Sequence, residues 1–138
     1  MLDKIEELKK VREQRTKLEL REKELTEPIL KDVSLIPIIS NWVSDLKPMN
    51  TRFSDTHYFI AVIALLYSPT IFIGDFLSKK SKIRETIAYS LGRSKTSISD
   101  HFQIVGEWYL IYKDFQQDVD YLSIEVKCRI EEYGISEN

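Results

Sequence analysis

Cysteine, glycine and proline are scarce in this sequence, and it has no long apolar run. Its one cysteine, Cys128, cannot form a disulfide within the chain, and its place between Val126 and Ile130 predicts a buried helix position in a reducing compartment. The longest apolar run, residues 58–67, is much shorter than the roughly 20 residues that span a bilayer. The N-terminus is charged from its third residue, unlike a secretory signal. We therefore expect a cytoplasmic protein with no membrane segment.

The side-chain groups that carry catalysis or bind metals are also missing from the sequence. His57, His101 and Cys128 are too scattered for a metal site, and there is no glycine-rich phosphate loop. Ser99, Asp100 and His101 are adjacent, but neighbours on a helix point about 100° apart and cannot relay a proton. We expect no enzymatic activity, no catalytic residue, no metal and no cofactor.

Residues 2–27 are rich in Glu, Lys, Arg and Leu, contain no Gly or Pro, and are followed by Pro28, a pattern that predicts one long helix. An isolated helix of this length is only marginally stable in water, so we assign residues 1–27 to self-association, as a homodimer or higher homo-oligomer. Arg15 and Glu22 interrupt the apolar stripe, so an imperfect zipper and a helix lying against another subunit both fit. The residues assigned to oligomerisation are Leu8, Val11, Leu18 and Leu25.

The middle of the chain predicts a junction and then a buried helix. Residues 28–51 form the junction, with a short amphipathic helix after its second proline. Ser54 or Asp55 can cap a following helix that runs to Tyr67 and is apolar on nearly every side, which predicts burial on nearly every side. We predict a loop for residues 70–77, although a short strand also fits that stretch.

Charge is distributed unevenly along the chain. The formal net charge of −2 alone disfavours nucleic acid as a partner, but residues 79–106 carry six basic and two acidic side chains, a net of +4. Residues 107–138 carry three basic and eight acidic side chains, a net of −5. The positive charge therefore lies in a segment that can attract a phosphate backbone, and the alternative is an ordinary solvated face.

Residues 81–102, within this basic segment, have the pattern of two helices joined by a tight turn. Gly92 stands where a helix needs a left-handed terminating residue, and Ser94 can cap the second helix. The small Ala88 allows the two helices to approach closely. The apolar residues that share the inner face are Ile83, Ile87, Leu91, Ile98 and Phe102.

The motif Ile87-Ala88-x-x-Leu91-Gly92-x-Ser94-x-x-x-Ile98-Ser99 resembles the helix-turn-helix family of DNA-binding proteins. With the tail Tyr112-Lys113-Asp114-Phe115-x-x-Asp118-Val119-Asp120, it is also similar to small helix-turn-helix proteins of bacterial phages and mobile elements. The resemblance implies double-stranded DNA as the partner, read by the start of the second helix. The implied base contacts are Lys95, Thr96, Ser97, Ser99 and Gln103. The phosphate contacts assigned from the local positive charge are Lys79, Lys80, Lys82, Arg84 and Arg93.

The second helix is predicted to continue to Tyr112, with Gly106 marking a close contact with another helix, and a last helix to end near residues 133–134. We therefore predict an all-α protein with a long N-terminal helix and a helical domain at residues 52–134 that contains the helix-turn-helix. Its predicted function is DNA binding as a small transcriptional regulator. The alternative is a phage or mobile-element packaging or assembly protein that uses the hairpin for protein contacts.

Overall fold

The structure, a computed structural model, describes residues 1–49, 51–77 and 81–132. Six α-helices and two 3₁₀ helices form this part of the chain, with no strand in it, which confirms the predicted all-α class. The α-helices are α1 Leu2–Thr26, α2 Ile36–Leu46, α3 Asp55–Tyr67, α4 Lys82–Leu91, α5 Lys95–Ile111 and α6 Lys113–Glu132. The 3₁₀ helices span Val33–Leu35 and Pro69–Ile73. No helix in these ranges is both long and apolar enough to cross a membrane.

Helix α3 is the centre of the core. It begins after Ser54, whose hydroxyl accepts the His57 N–H at 3.3 Å, and it ends at Tyr67, as predicted from the sequence. It packs against α2, α5 and α6, so its all-round apolar composition is matched by burial on almost every side. The segment predicted as a junction also contributes to this core, because Ile36, Ile39 and Val43 of α2 are fully enclosed.

Helix α1 contrasts with the rest of the chain because it has no buried residue. Leu18, on the stripe assigned to oligomerisation, is 70% exposed, and the other three residues of that stripe are exposed as well. The chain joins the core just after the helix. The buried Leu30 donates its N–H to the Leu66 carbonyl at 2.9 Å, and the Tyr67 hydroxyl donates to the Asp32 carbonyl at 2.7 Å.

The prediction of a loop for residues 70–77 was wrong in its first half. The chain continues from α3 into the 3₁₀ helix Pro69–Ile73, which buries Ile71 and Phe72 and ends at Gly74 with φ 98°. Gly106 of α5 faces this turn, and a Cβ placed on it would lie 3.2 Å from the Ile71 carbonyl oxygen. The close helix contact predicted at Gly106 is therefore made with the 3₁₀ helix.

The prediction that Cys128 is buried was also wrong, since its side chain is exposed. Helix α6 buries Val119, Leu122, Val126 and Ile130, which follow each other by three or four residues. A residue two positions after Val126 is rotated by about 200° around the helix and so points away from that face. The predicted end of this helix, near residues 133–134, lies outside the described residues.

Candidate nucleic-acid interface

The hairpin of α4 and α5 has the two features that the sequence predicts, a glycine that ends the first helix and a serine that caps the second. Gly92 adopts φ 63° and ψ 36°, a left-handed conformation that ends α4. The N–H groups of Gly92 and Arg93 then donate back to the carbonyls of Tyr89 and Ala88, at 3.3 and 3.0 Å. This paired arrangement satisfies the last carbonyls of the helix and reverses the chain direction. Ser94 begins α5 by accepting the backbone N–H three residues later, at 3.1 Å.

Apolar contacts hold the hairpin against the core. Ile87 and Ala88 of α4 are buried, as are Ile98, Phe102 and Val105 of α5, and α5 packs along α3. Because Ile98 and Phe102 point inward, the opposite side of α5 faces outward. That outward side is where the sequence places the DNA-reading residues.

Two of the predicted contact residues are bonded to each other. Arg84 of α4 donates from Nη1 to the Ser99 Oγ of α5 at 3.0 Å, and the Ser99 hydroxyl donates to the Lys95 carbonyl at 3.2 Å. Both side chains are half-buried. Arg84 was assigned to phosphates and Ser99 to bases, but in this structure they connect the two helices of the hairpin. This connection depends on tertiary structure, and no spacing rule in the sequence predicts it.

The other predicted residues differ in their exposure. Ser97 is half-buried, and its backbone is engaged at both ends, the N–H with Ser94 and the carbonyl with the ring of His101. The exposed predicted contacts are Lys95, Thr96 and Gln103 on α5, Lys82 at the start of α4, and Arg93 in the turn. Lys79 and Lys80 lie outside the described residues. The structure thus brings a small polar and basic set to the outer side of the hairpin.

Acidic side chains lie beside this set. Asp100 and Glu107 are exposed on α5, whose only basic residue is Lys95. A carboxylate near a phosphate backbone is repelled by it, whereas one that reaches a base edge can accept from cytosine. The positive charge of the hairpin is therefore confined to its α4 side, the turn and the start of α5.

A pair of histidines that are 44 residues apart in the sequence connects α3 to α5. The rings of His57 and His101 are 5.2 Å apart, and the His57 ring lies 4.5 Å from Trp108. His101 Nδ1 donates to the Ser97 carbonyl at 2.7 Å, and His57 Nδ1 is 2.6 Å from the Ser54 Oγ. Burial lowers the pKa of His57, and positive charge on His101 and Arg93 lowers this pKa further. No motif or helical period signals such a pair in the sequence.

A groove that no sequence pattern predicts lies between residues 71–77 and α5. Its volume is about 540 Å³. Its apolar lining includes Phe72, Phe76, Phe102, Gly106 and Leu110. Its acidic rim is formed by Asp75, Asp100 and Glu107, and Arg84, Ser99 and Gln103 line its end near the start of α5. The apolar stretch at residues 70–77, predicted as a loop, is the feature of the sequence that could have indicated this groove.

Among the described residues, no three His, Cys, Asp or Glu side chains are close enough together to hold a metal ion. Compared with models of protein families, with curated proteins and with solved structures, the chain matches none of them.

Proposed function

We propose that this protein binds double-stranded DNA through the α4–α5 hairpin and acts as a small homo-oligomeric transcriptional regulator in the cytoplasm. The observation that carries the proposal is the hairpin itself: a left-handed Gly92 turn, a Ser94 cap and a buried inner face that leaves the start of α5 exposed. Helices in this arrangement place the first residues of the second helix in the major groove.

The exposed residues divide into two roles. Lys95 and Gln103 have the chemistry for base edges, since lysine donates to guanine and glutamine pairs with adenine, and Thr96 offers a hydroxyl to either base or phosphate. Lys82 at the start of α4 and Arg93 in the turn are exposed and carry the charge that phosphates attract, and the sequence adds Lys79 and Lys80. Arg84 and Ser99 support the hairpin through their mutual hydrogen bond, which keeps the two helices in register.

Oligomerisation through α1 completes this proposal. A single hairpin reads only a few base pairs, and a symmetric dimer doubles the length of the site. Helix α1 carries exposed apolar side chains, including Leu8 and Leu18, that have no partner in the described residues of the chain. Burial of such side chains against another copy removes apolar surface from water and stabilises the association.

The test is fluorescence anisotropy of labelled duplex DNA over a series of salt concentrations. For the full chain we expect log affinity to fall linearly with log salt, and Lys82→Ala should lower that slope by about 0.9. Lys127→Ala, an exposed lysine on α6, is the matched control and should leave the slope unchanged. Lys95→Ala and Gln103→Ala should each relax the preference at one base pair by about 1–3 kcal/mol.

A second function, protein assembly through the same hairpin, is favoured by the groove and its acidic rim. Apolar surface bordered by carboxylates suits a basic protein surface better than a phosphate backbone. Failure of the full chain to bind duplex DNA at low salt would exclude the regulator proposal and favour a packaging or assembly role.

A further inference from the structure

We propose that the groove binds the N-terminal half of α1 from a second copy of this chain. The inference specifies how the copies of the proposed oligomer meet, and it rests on the self-association in that proposed function. Two apolar surfaces of the described chain lack an internal partner, and they complement each other in charge.

The first surface is the groove and its edges. Phe76 is 76% exposed and Leu110 66%, and both line the open space between residues 71–77 and α5. Gly106 has no side chain, so the floor of the groove is low where the turn and α5 come closest. A groove with an apolar floor and exposed apolar edges is the form that receives an amphipathic helix.

The second surface is the first half of α1. Ile5, Leu8 and Val11 follow each other every three residues, which places them on one side of the helix, and all three are exposed. At about 100° per residue, Arg12 and Arg15 fall within the arc that these three residues cover, so this surface is apolar over its first two turns and basic at the end that follows Val11. It has the spacing of anchors that fill a groove.

Charge complementarity selects this occupant. Residues 4–17 carry six basic and three acidic side chains, a net of +3. Among the described residues, the groove lining has three carboxylates, those of Asp75, Asp100 and Glu107, and one arginine. In a parallel α1–α1 zipper, by contrast, Arg15 of one copy would face Arg15 of the other, and like charges at a seam repel.

The attachment of α1 favours exchange between copies over folding back within one copy. The chain enters the core at Leu30, whose N–H donates to the Leu66 carbonyl. Ile71, at the inner edge of the groove, follows Leu66 by only five residues. Along the unbroken helix, Val11 lies about 22 Å and Ile5 about 32 Å from the end of α1. Both residues therefore lie beyond the near edge of the groove in their own copy. The same residues can reach the groove of a neighbouring copy without breaking the helix.

Docking at this place has a consequence for DNA binding. Gln103, in the middle of α5, lines the groove, so a helix seated there covers part of the proposed base-reading surface. Lys95 and Thr96 do not line the groove, so they stay open to duplex DNA in the docked dimer.

Charge reversal in the full chain tests the docking. Sedimentation velocity should show that Arg12→Glu with Arg15→Glu raises the dimer dissociation constant at least tenfold, and that Asp100→Lys with Glu107→Lys does the same. Combining all four substitutions should restore the constant to within about threefold of the original. The matched control, Arg21→Glu with Lys23→Glu in the second half of α1, should leave it unchanged. An unchanged constant in the groove variant, or no restoration in the combined variant, overturns the proposal.

Disulfide trapping identifies which copy supplies the helix. In a Cys128→Ser background, Leu8→Cys with Leu110→Cys should give a covalent dimer on a non-reducing gel. The control pair, Leu8→Cys with Ile124→Cys on the exposed face of α6, should give none. Monomers with an internal disulfide, or equal trapping by both pairs, overturn docking by a second copy. Anisotropy with duplex DNA is measured separately. DNA binding can therefore fail while the dissociation constant is restored and the disulfide forms, or DNA binding can succeed while both docking results fail.

Discussion

Helices α1 and α3 are opposite solutions to the same problem of keeping a helix formed in water. Helix α3 has apolar side chains all around and is enclosed by α2, α5 and α6, so packing stabilises it. Helix α1 is almost twice as long, 25 residues against 13, has a charged surface and buries nothing. Its helical state depends on local propensity and on whatever covers its apolar residues. The contrast teaches that helix length and helix stability have separate causes in this chain.

The largest difference between the two helices is expected when side-chain volume is removed at the centre of α3. Ile63→Ala should lower the free energy of unfolding by about 2–5 kcal/mol, because Ile63 is fully buried and its loss leaves a cavity. Leu20→Ala on α1, at an exposed position outside the oligomerisation stripe, should change it by less than about 0.5 kcal/mol. Urea denaturation of the two variants compares them directly, and equal losses would contradict the assignment of stability to α3.

The turn at Gly92 should be the next most sensitive position. Gly92→Ala keeps a left-handed conformation that costs a residue with a Cβ about 1–2 kcal/mol, although no atom lies close enough to clash with it. Gly92→Asn is the matched variant and should cost less, since asparagine tolerates that conformation. If alanine and asparagine destabilise equally in thermal unfolding, backbone strain is not the cause.

Acidification should produce a smaller loss, through the histidine pair at the α3–α5 contact. The pKa of His57 is lowered in the folded state, so the unfolded state binds the proton first as the pH falls below about 6.5. Stability is therefore complete above that pH and declines below it, down to the lowered pKa. His57→Gln should flatten this part of the stability curve measured by urea denaturation between pH 7.5 and 5. A decline of the same steepness in the variant would assign it to other groups.

Removal of α1 should have the smallest effect on the core. A fragment that starts at Pro28 should fold and unfold with a free energy within about 0.5 kcal/mol of the full chain's core, because α1 contributes no buried residue. Light scattering should find the full chain oligomeric and the fragment monomeric. A fragment that fails to fold would make α1 part of the core, and a monomeric full chain would remove the oligomer proposal.

Features set by neighbouring residues were the ones that the sequence predicted well. Gly92, Ser94 and Ser54 act within one helical turn, and the structure has each in its expected role. Two features set by distant residues were missed. The 3₁₀ helix at Pro69–Ile73 exists because Ile71 and Phe72 pack against α5, and the bond between Arg84 and Ser99 needs both helices in place. Periodicity along one segment carries no information about such contacts.

The candidate site was predictable to the same extent. The position of the hairpin followed from its caps, whereas the mixture of charges on α5 followed only from knowing which side faces out. Asp100 and Glu107 share the exposed side with Lys95 and Gln103, and that arrangement makes the groove acidic. Whether a side chain reads DNA depends on these neighbours as much as on its own chemistry.

Hydrogen bonds at Leu30 and Asp32 fix the chain to the core just after α1, so residues 27–29 form a pivot for the whole helix. Only residues 27–29 separate the end of α1 from the first backbone bond to the core, a span of at most about 11 Å. The helix beyond this pivot is about 38 Å long, so a rotation of about 30° there moves its tip by about 20 Å. Small backbone changes at Glu27, Pro28 and Ile29 therefore decide which neighbouring surface the first turn of the helix can reach.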